Sequence, residues 1–276
     1  EYCNSRFYPA IVPFQADMKK ITSRENPIYK SVCKLTKRKY RDQMGEYLLE
    51  GIKPLADAVS LGISIDTILV REGSSFPLEK VTPEIVLELG AQLFDSIADT
   101  EHSQGVIAVI QKKQHDWDSF SNLLKDNTKN IVILDRLQDP GNMGTIIRTA
   151  EAAGYGGVLL MAGCTDAYAP KVVRAAAGSL LRMPILQEND IAETAGRLQA
   201  LHRKIAVTSL EEAQDYRDAD LGENVALVIG NEGRGVRQEF LDIADIKIRI
   251  PMAGSIESLN AAVAAGILMY QSRIIK

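Results

Sequence analysis

Long apolar runs are missing from this chain. No stretch approaches the ~18 residues needed to cross a bilayer, so a membrane-spanning helix is excluded. Glu1–Asp17 lack both a basic n-region and an apolar h-region, so they do not form a signal peptide. A starting methionine is also missing, and Met18-Lys19-Lys20 resembles a natural beginning; residues 1–17 therefore read as an added leader or a disordered tail. Cysteine is scarce. Cys3, Cys33 and Cys164 are odd in number and scattered, which argues against a disulfide framework and for a reducing, cytoplasmic setting. His102, His115 and His202 show no ligand spacing with one another or with cysteine, so no metal is expected. There is no strong excess of charge, the net value being −4, so any nucleic-acid partner must be read from local distribution.

The composition that is present, 46% hydrophobic and 25% charged over 276 residues, is that of a globular chain of one large or two ordinary domains. Basic residues crowd between Lys19 and Arg41, with Lys30, Lys37, Arg38, Lys39 and Arg41 interleaved with Tyr29 and Tyr40. Such a stripe can hold phosphates and stack bases; it can equally be a solvated helix surface. Helical spacing over Ile52–Leu61, strands at Thr67–Val70 and Gly105–Ile110, and a short helix over Pro83–Leu89 predict a small α/β unit over residues 18–112. The polar stretch 113–129 reads as a linker. From 130 to 276, apolar runs at Ile131–Leu134, Gly157–Met161, Met183–Leu186, Lys204–Thr208, Ala226–Ile229 and Ile246–Ile250 alternate with helical segments. These are Met143–Ala153, Ala169–Ala177, Asp190–Leu201 and Ile256–Ile274, and the alternation predicts a mostly parallel sheet with helices on both faces.

Three loops leave the carboxyl ends of these strands, where open α/β sheets bind ligands. The first, Asp135 to Gly144, carries Asp139-Pro-Gly turn chemistry and Asn142 as a helix cap; Gly144 suggests close approach of a substrate or another backbone. Arg148 follows on the same helix, fit for a structural ion pair or for a role in the site. The second loop, Gly230-Asn-Glu-Gly-Arg-Gly235, is half glycine, so its backbone can turn sharply and approach a ligand. The third runs from Arg249 to Asn260, with Pro251 ending the strand, Ser255 placed to cap the last helix and Glu257 in its first turn. A lysine-bearing phosphate loop, Gly-x-Gly-x-x-Gly after the first strand and a serine–histidine arrangement are all lacking. A glycine-lined pocket with few charges suits an adenosyl compound better than a triphosphate.

Asn142-x-Gly144 with Arg148, then Ile229-Gly-Asn-Glu-Gly-x-Gly235, then Ile250-Pro-Met with Ser258-Leu-Asn260, resemble the three signature motifs of the SpoU–TrmH family. That family is the ribose 2'-O branch of the SPOUT methyltransferases. Tyr47-Leu-Leu-Glu-Gly51 through His102-x-Gln104-Gly105 is similar to the small RNA-binding domain of many members, with Ser103 interrupting the usual His-Gln-Gly. The resemblance implies a C-terminal trefoil knot, S-adenosylmethionine as cofactor, and a homodimer to which Ile256–Ile274 contributes. It implies backbone contacts to the cofactor from Gly230, Ile250 and Leu259, with Thr208, Asn231 and Met252 nearby; Gly233 joins them as a loop glycine.

The implied reaction is attack of a ribose 2'-hydroxyl on a sulfonium methyl group, which needs no metal. The family assigns the base to the arginine matching Arg148. Arginine stays protonated in proteins, so Arg148 is better suited to orient the adjacent phosphate and stabilise the developing alkoxide. Glu232 then holds Arg148 or a neighbouring loop, while Asn142, Ser258 and Asn260 bind substrate or brace the loops. With an RNA substrate implied, the basic stripe becomes its docking surface. Ribosomal RNA is the expected target, on the two-domain layout; a transfer RNA methyltransferase, a non-catalytic RNA-binding or ribosome-assembly protein, and a small-molecule enzyme are the alternatives.

Overall fold

The computed structural model describes residues 18–74, 85–100, 102–125, 128–256 and 258–274. Residues 1–17, Pro83 and Glu257, on which some sequence readings fall, lie outside them. The chain divides into two units, one ending at Lys112 and the other beginning at Lys113.

The first unit contains β1 (Lys19–Ile21), α1 (Pro27–Lys34), α2 (Arg38–Met44), β2 (Glu46–Glu50), α3 (Ile52–Ser60), β3 (Ile65–Arg71), β4 (Ile85–Leu89), α4 (Ala91–Asp95) and β5 (Val106–Gln111). Asn26 starts α1 by accepting hydrogen bonds from the Ile28 and Tyr29 amides, with Pro27 supplying a preset φ. The strands form one mixed sheet in the order β1-β4-β3-β5-β2. Ile85–Leu89, expected as a helix, is a strand parallel to both β3 and β1. Its apolar residues, interrupted only by Glu88, fit a largely buried strand, and Leu87 and Leu89 are fully buried in the unit's core.

The second unit contains α5 (Trp117–Asn122), β6 (Ile131–Leu134), α6 (Pro140–Ala152), β7 (Gly157–Met161), α7 (Pro170–Ala176), β8 (Ile185–Glu188), α8 (Ile191–Ala200), β9 (Lys204–Thr208), β10 (Gln214–Asp215), β11 (Val225–Ile229), α9 (Gln238–Asp242), β12 (Ile246–Arg249) and α10 (Ala261–Ile274). Its sheet runs β10-β12-β9-β11-β6-β7-β8, and every pairing is parallel. β6, β7 and β11 are buried at every position, as their unbroken apolar runs require. On one face, Ile131, Ile133 and Leu159 pack with Phe120 of α5, Leu198 of α8 and Phe240 of α9. The alternate residues Val132, Leu134 and Leu160 point the other way, toward the packed group of α6, α7 and α10.

Residues 113–129, expected as a polar linker, hold α5. Its polar residues form a capping box, the Asp116 carboxylate accepting from the Ser119 amide while Ser119 Oγ pairs with the Asp116 amide. Fully buried Phe120 ties the segment to the second unit's core, a burial that stabilises by about 1.5–3 kcal/mol. Buried Arg203 adds hydrogen bonds to the carbonyls of Leu124 and Lys129. α10 begins at Ala261 rather than Ile256, because Asn260 Oδ1 accepts from the Ala262 and Val263 amides at 2.9 and 3.2 Å. Asn260, not Ser255, thus caps it. No helix among the described residues is long and apolar enough to cross a membrane.

Candidate active site

The loops after β6, β11 and β12 meet at the carboxyl edge of the sheet, and Asn142 joins them. Its side-chain amide donates to Glu232 Oε1 at 2.9 Å, and its carbonyl oxygen accepts from Asn260 Nδ2 at 2.9 Å. One carboxamide thus links residues from all three loops. Asn142 can do this because it is not the helix cap: Asp139 Oδ1 accepts its backbone amide at 2.7 Å, leaving the Asn142 side chain free to face the other loops.

Gly144 lies one turn into α6, where a Cβ would stand 2.5 Å from Ala175 Cβ and 2.6 Å from the Val172 carbonyl. Its requirement is helix-on-helix packing against α7, the backbone alternative of the two. Arg148, one turn further, is exposed and has no hydrogen-bond or ion-pair partner among the described residues. Glu232 reaches Asn142, the neighbouring-loop option, and no hydrogen bond or ion pair among the described residues joins it to Arg148.

The second loop closes on itself. Asn231 and Gly235 exchange backbone hydrogen bonds at 3.0 and 2.9 Å, and Gly235 adopts φ +65°. Asn231 Oδ1 accepts from the Gly233 and Arg234 amides, while its Nδ2 donates to the Arg136 carbonyl at 2.9 Å. Gly230 is essential to the closure, since a Cβ there would stand 2.3 Å from the Gly235 carbonyl carbon. Gly230 is buried, yet its backbone groups make no hydrogen bond among the described residues. Thr208 Oγ1 donates to the Val228 carbonyl at 3.3 Å, which keeps it at the base of this loop. Ile250 and Met252 are half-buried, while Ser258 and Leu259 are exposed on the approach to α10.

Sequence inspection missed Asp135, Arg136 and Arg237. Asp135 is fully buried at the end of β6 and accepts from Arg237 Nε at 2.7 Å and from the Arg237 amide at 2.8 Å. The available signal was a carboxylate directly following an apolar strand, since a charge held so deep must be paired. Cys164 also borders the first loop, donating to the Leu134 carbonyl, and burial pushes its thiol up to about 11. It therefore stays protonated near neutral pH and is not an activated nucleophile.

In the first unit, Lys37, Arg38 and Lys39 are exposed around the α1–α2 turn, and the ammonium groups of Lys34 and Lys39 lie 5.6 and 5.9 Å from the Tyr40 ring centre. Lys30 is exposed but paired with Glu25. Arg41 differs from the expected phosphate contact. It is 3% exposed, and its guanidinium donates to the Leu35 carbonyl at 2.8 Å, so it braces the turn instead. Among the described residues, no group of three or more His, Cys, Asp or Glu is placed to hold a metal ion.

Residues 129–270 match the model of the SpoU rRNA methylase family, and residues 26–108 match an MRM3-like substrate binding domain. The chain is 33% identical to the 23S rRNA (guanosine(2553)-2'-O)-methyltransferase RlmP of Bacillus subtilis, over 93% of this chain and all of that one. Among solved structures, it resembles an AdoMet-bound rRNA methyltransferase from Sinorhizobium meliloti at 32% identity and a TM-score of 0.84, covering 94% of this chain and 99% of that one. The SpoU methyltransferase AviRb of Streptomyces viridochromogenes, in complex with AdoMet, gives 29% identity and a TM-score of 0.82 over 91% of this chain and 99% of that one.

Proposed function

The chain belongs to the SpoU rRNA methylase family, and from that premise we propose that it is an S-adenosylmethionine-dependent enzyme that methylates a ribose 2'-hydroxyl in ribosomal RNA. The observation that carries this reading is the Asn142–Glu232–Asn260 link, which draws the three loops into one site. The cofactor fits the residues present: buried Gly230 offers backbone groups that lack a partner within the described chain, as an adenosyl compound requires. Gly230, Gly233, Ile250 and Leu259 would hold it, with Thr208, Asn231 and Met252 beside them. When bound, S-adenosylmethionine supplies an electrophilic methyl group on a good leaving group.

The protein's own residues then have three tasks. Arg148 orients a phosphate of the substrate and stabilises charge growing on the 2'-oxygen, as a permanently protonated guanidinium can. A phosphate oxygen or water takes the proton. Glu232 and Asn260, both bonded to Asn142, brace the loops that exclude solvent, and Ser258 stands on the substrate side of the same loop.

The remaining parts of the reading are structural. Residues 18–112 form the RNA-binding domain, docking phosphates on Lys30, Lys37, Arg38 and Lys39, and residues 113–276 form the methyltransferase domain. A C-terminal trefoil knot is supported by the strand order, in which β12 lies outside β9 while the α10 that follows packs back against α6 beyond β9 and β11. A homodimer through α10 is supported by exposed Val263 and Tyr270 on that helix. Cytoplasmic residence rests on the sparse cysteines.

Cutting the chain before Lys113 tests this division. The fragment 113–276 should bind S-adenosylmethionine by calorimetry as the full chain does and lose RNA binding. The cut is placed there because one beyond Phe120 would remove part of the second unit's core. Loss of cofactor binding by a folded fragment would contradict the division.

A further inference from the structure

We propose that Asp135 positions the 230–237 loop for the reaction, its buried carboxylate setting where Glu232 and Gly233 stand at the site. The inference rests on the methyltransferase reading above and adds a residue that acts only through its neighbours. The ladder between β6 and β11 ends with the Asp135 amide donating to the Ile229 carbonyl at 2.9 Å. Beyond that bond, the chain leaves the sheet at Gly230 and comes back at Arg237. There the Asp135 side chain takes over from the backbone. Oδ2 accepts the Arg237 amide at 2.8 Å and Oδ1 accepts Nε at 2.7 Å. The same backbone turn thus grips the loop at its entry and, through one carboxylate, at its exit.

Between these grips the loop behaves as one piece. Asn231 and Gly235 are bonded to each other in both directions, and the crossing of Gly230 with Gly235-Val236 leaves no room for a Cβ. A closed loop on a narrow neck moves as a unit, so its aim is set where the neck is anchored. Arg136 provides the second anchor, its carbonyl accepting from Asn231 Nδ2 at 2.9 Å. Arg136 holds φ 56°, a conformation uncommon for a residue with a side chain and maintained only where surroundings enforce it. Glu232 is carried on the loop, and its bond to Asn142 is what joins the second loop to the first and, through Asn142, to Asn260. Release of Arg237 would therefore shift the loop's aim and loosen the Asn142 junction.

Asp135→Asn, Arg237→Gln and the double variant of the full chain test this at a temperature where circular dichroism shows each to be folded. If Asp135→Asn does not fold, Arg237→Gln serves alone, since it keeps the Asp135 bond to the backbone amide. Each single variant should raise the Kd for S-adenosylmethionine by about 10- to 100-fold, as loss of a group bracing a site's ligands does. The double variant should be no weaker than the worse single one, because the Asp135–Arg237 side-chain pair is the interaction that the two substitutions share. Arg237→Lys, which keeps the charge and the backbone bond, should recover most of the affinity. KM for RNA should stay unchanged throughout. Folded variants with wild-type cofactor affinity and turnover, whatever their melting temperature, would overturn the inference alone. A wild-type chain that neither binds the cofactor nor methylates RNA would overturn the underlying reading and this inference with it.

Discussion

Replacing Arg148 with alanine should lower the turnover of RNA methylation by about 10²–10³-fold, the loss typical of removing one group that stabilises transition-state charge. Affinity for S-adenosylmethionine should be unchanged, because the residues proposed to hold the cofactor lie at the end of β9 and on the loops after β11 and β12, whereas Arg148 stands on α6. Its lack of a partner among the described residues gives the prediction its size. A guanidinium already bonded to a carboxylate would have to break that bond before serving a phosphate. Arg148→Lys separates geometry from charge. Lysine keeps the charge but not the planar fork that grips two phosphate oxygens, so turnover should remain well below wild type. Near-normal turnover in the lysine variant would show that the guanidinium has no special role.

Gly230→Ala should weaken S-adenosylmethionine binding by about a hundredfold, the order expected when binding groups are displaced by an ångström. The added Cβ would lie 2.3–2.6 Å from backbone atoms of Gly235 and Val236, which cannot rotate away as a side chain can. The loop must open at its neck, carrying Asn231 and Glu232 with it. Overpacking of this kind costs about 1–3 kcal/mol of stability, readable as a lower midpoint in urea. Gly154→Ala is the comparison variant: no atom lies within 4 Å of its would-be Cβ, although its φ of +78° adds strain. It should lose stability without losing cofactor affinity. Equal effects at the two glycines would show that the neck of the second loop is not special.

The legible features of this chain were those carried by local pattern. β6, β7 and β11 announce themselves as four- or five-residue apolar runs ending in turn residues, and those runs are the strands. The three loops that matter follow strand ends and were visible for that reason. Misreadings came where a local signal had a competing use. Proline before Ile85 suggested a helix, but Ile85–Leu89 pairs between β1 and β3 as a short, largely buried strand. Polar residues at 116–119 suggested a linker because capping chemistry and linker chemistry draw on the same residue types. Asn142 resembled a helix cap for the same reason, while Asp139 filled that place and released Asn142 for the junction.

Contacts between distant residues were not legible at all. Asn142 lies 90 residues from Glu232 and 118 from Asn260, and nothing in spacing indicates that one carboxamide serves both. The Asp135–Arg237 pair spans 102 residues and was hidden similarly. Arg41 shows the reverse error, in which a charge belonging to a basic run is spent inside the fold on a carbonyl. The family motifs supplied what pattern could not, because they link residues across the chain through a shared reaction.

The central claim is the reaction itself, and methylation of total RNA with methyl-labelled S-adenosylmethionine tests it most directly. The label should appear in large ribosomal RNA, at a nucleotide that mapping identifies as 2'-O-methylated, and should vanish with Arg148→Ala. Label on a base, label in transfer RNA alone, or no label with a chain that binds the cofactor would contradict the account.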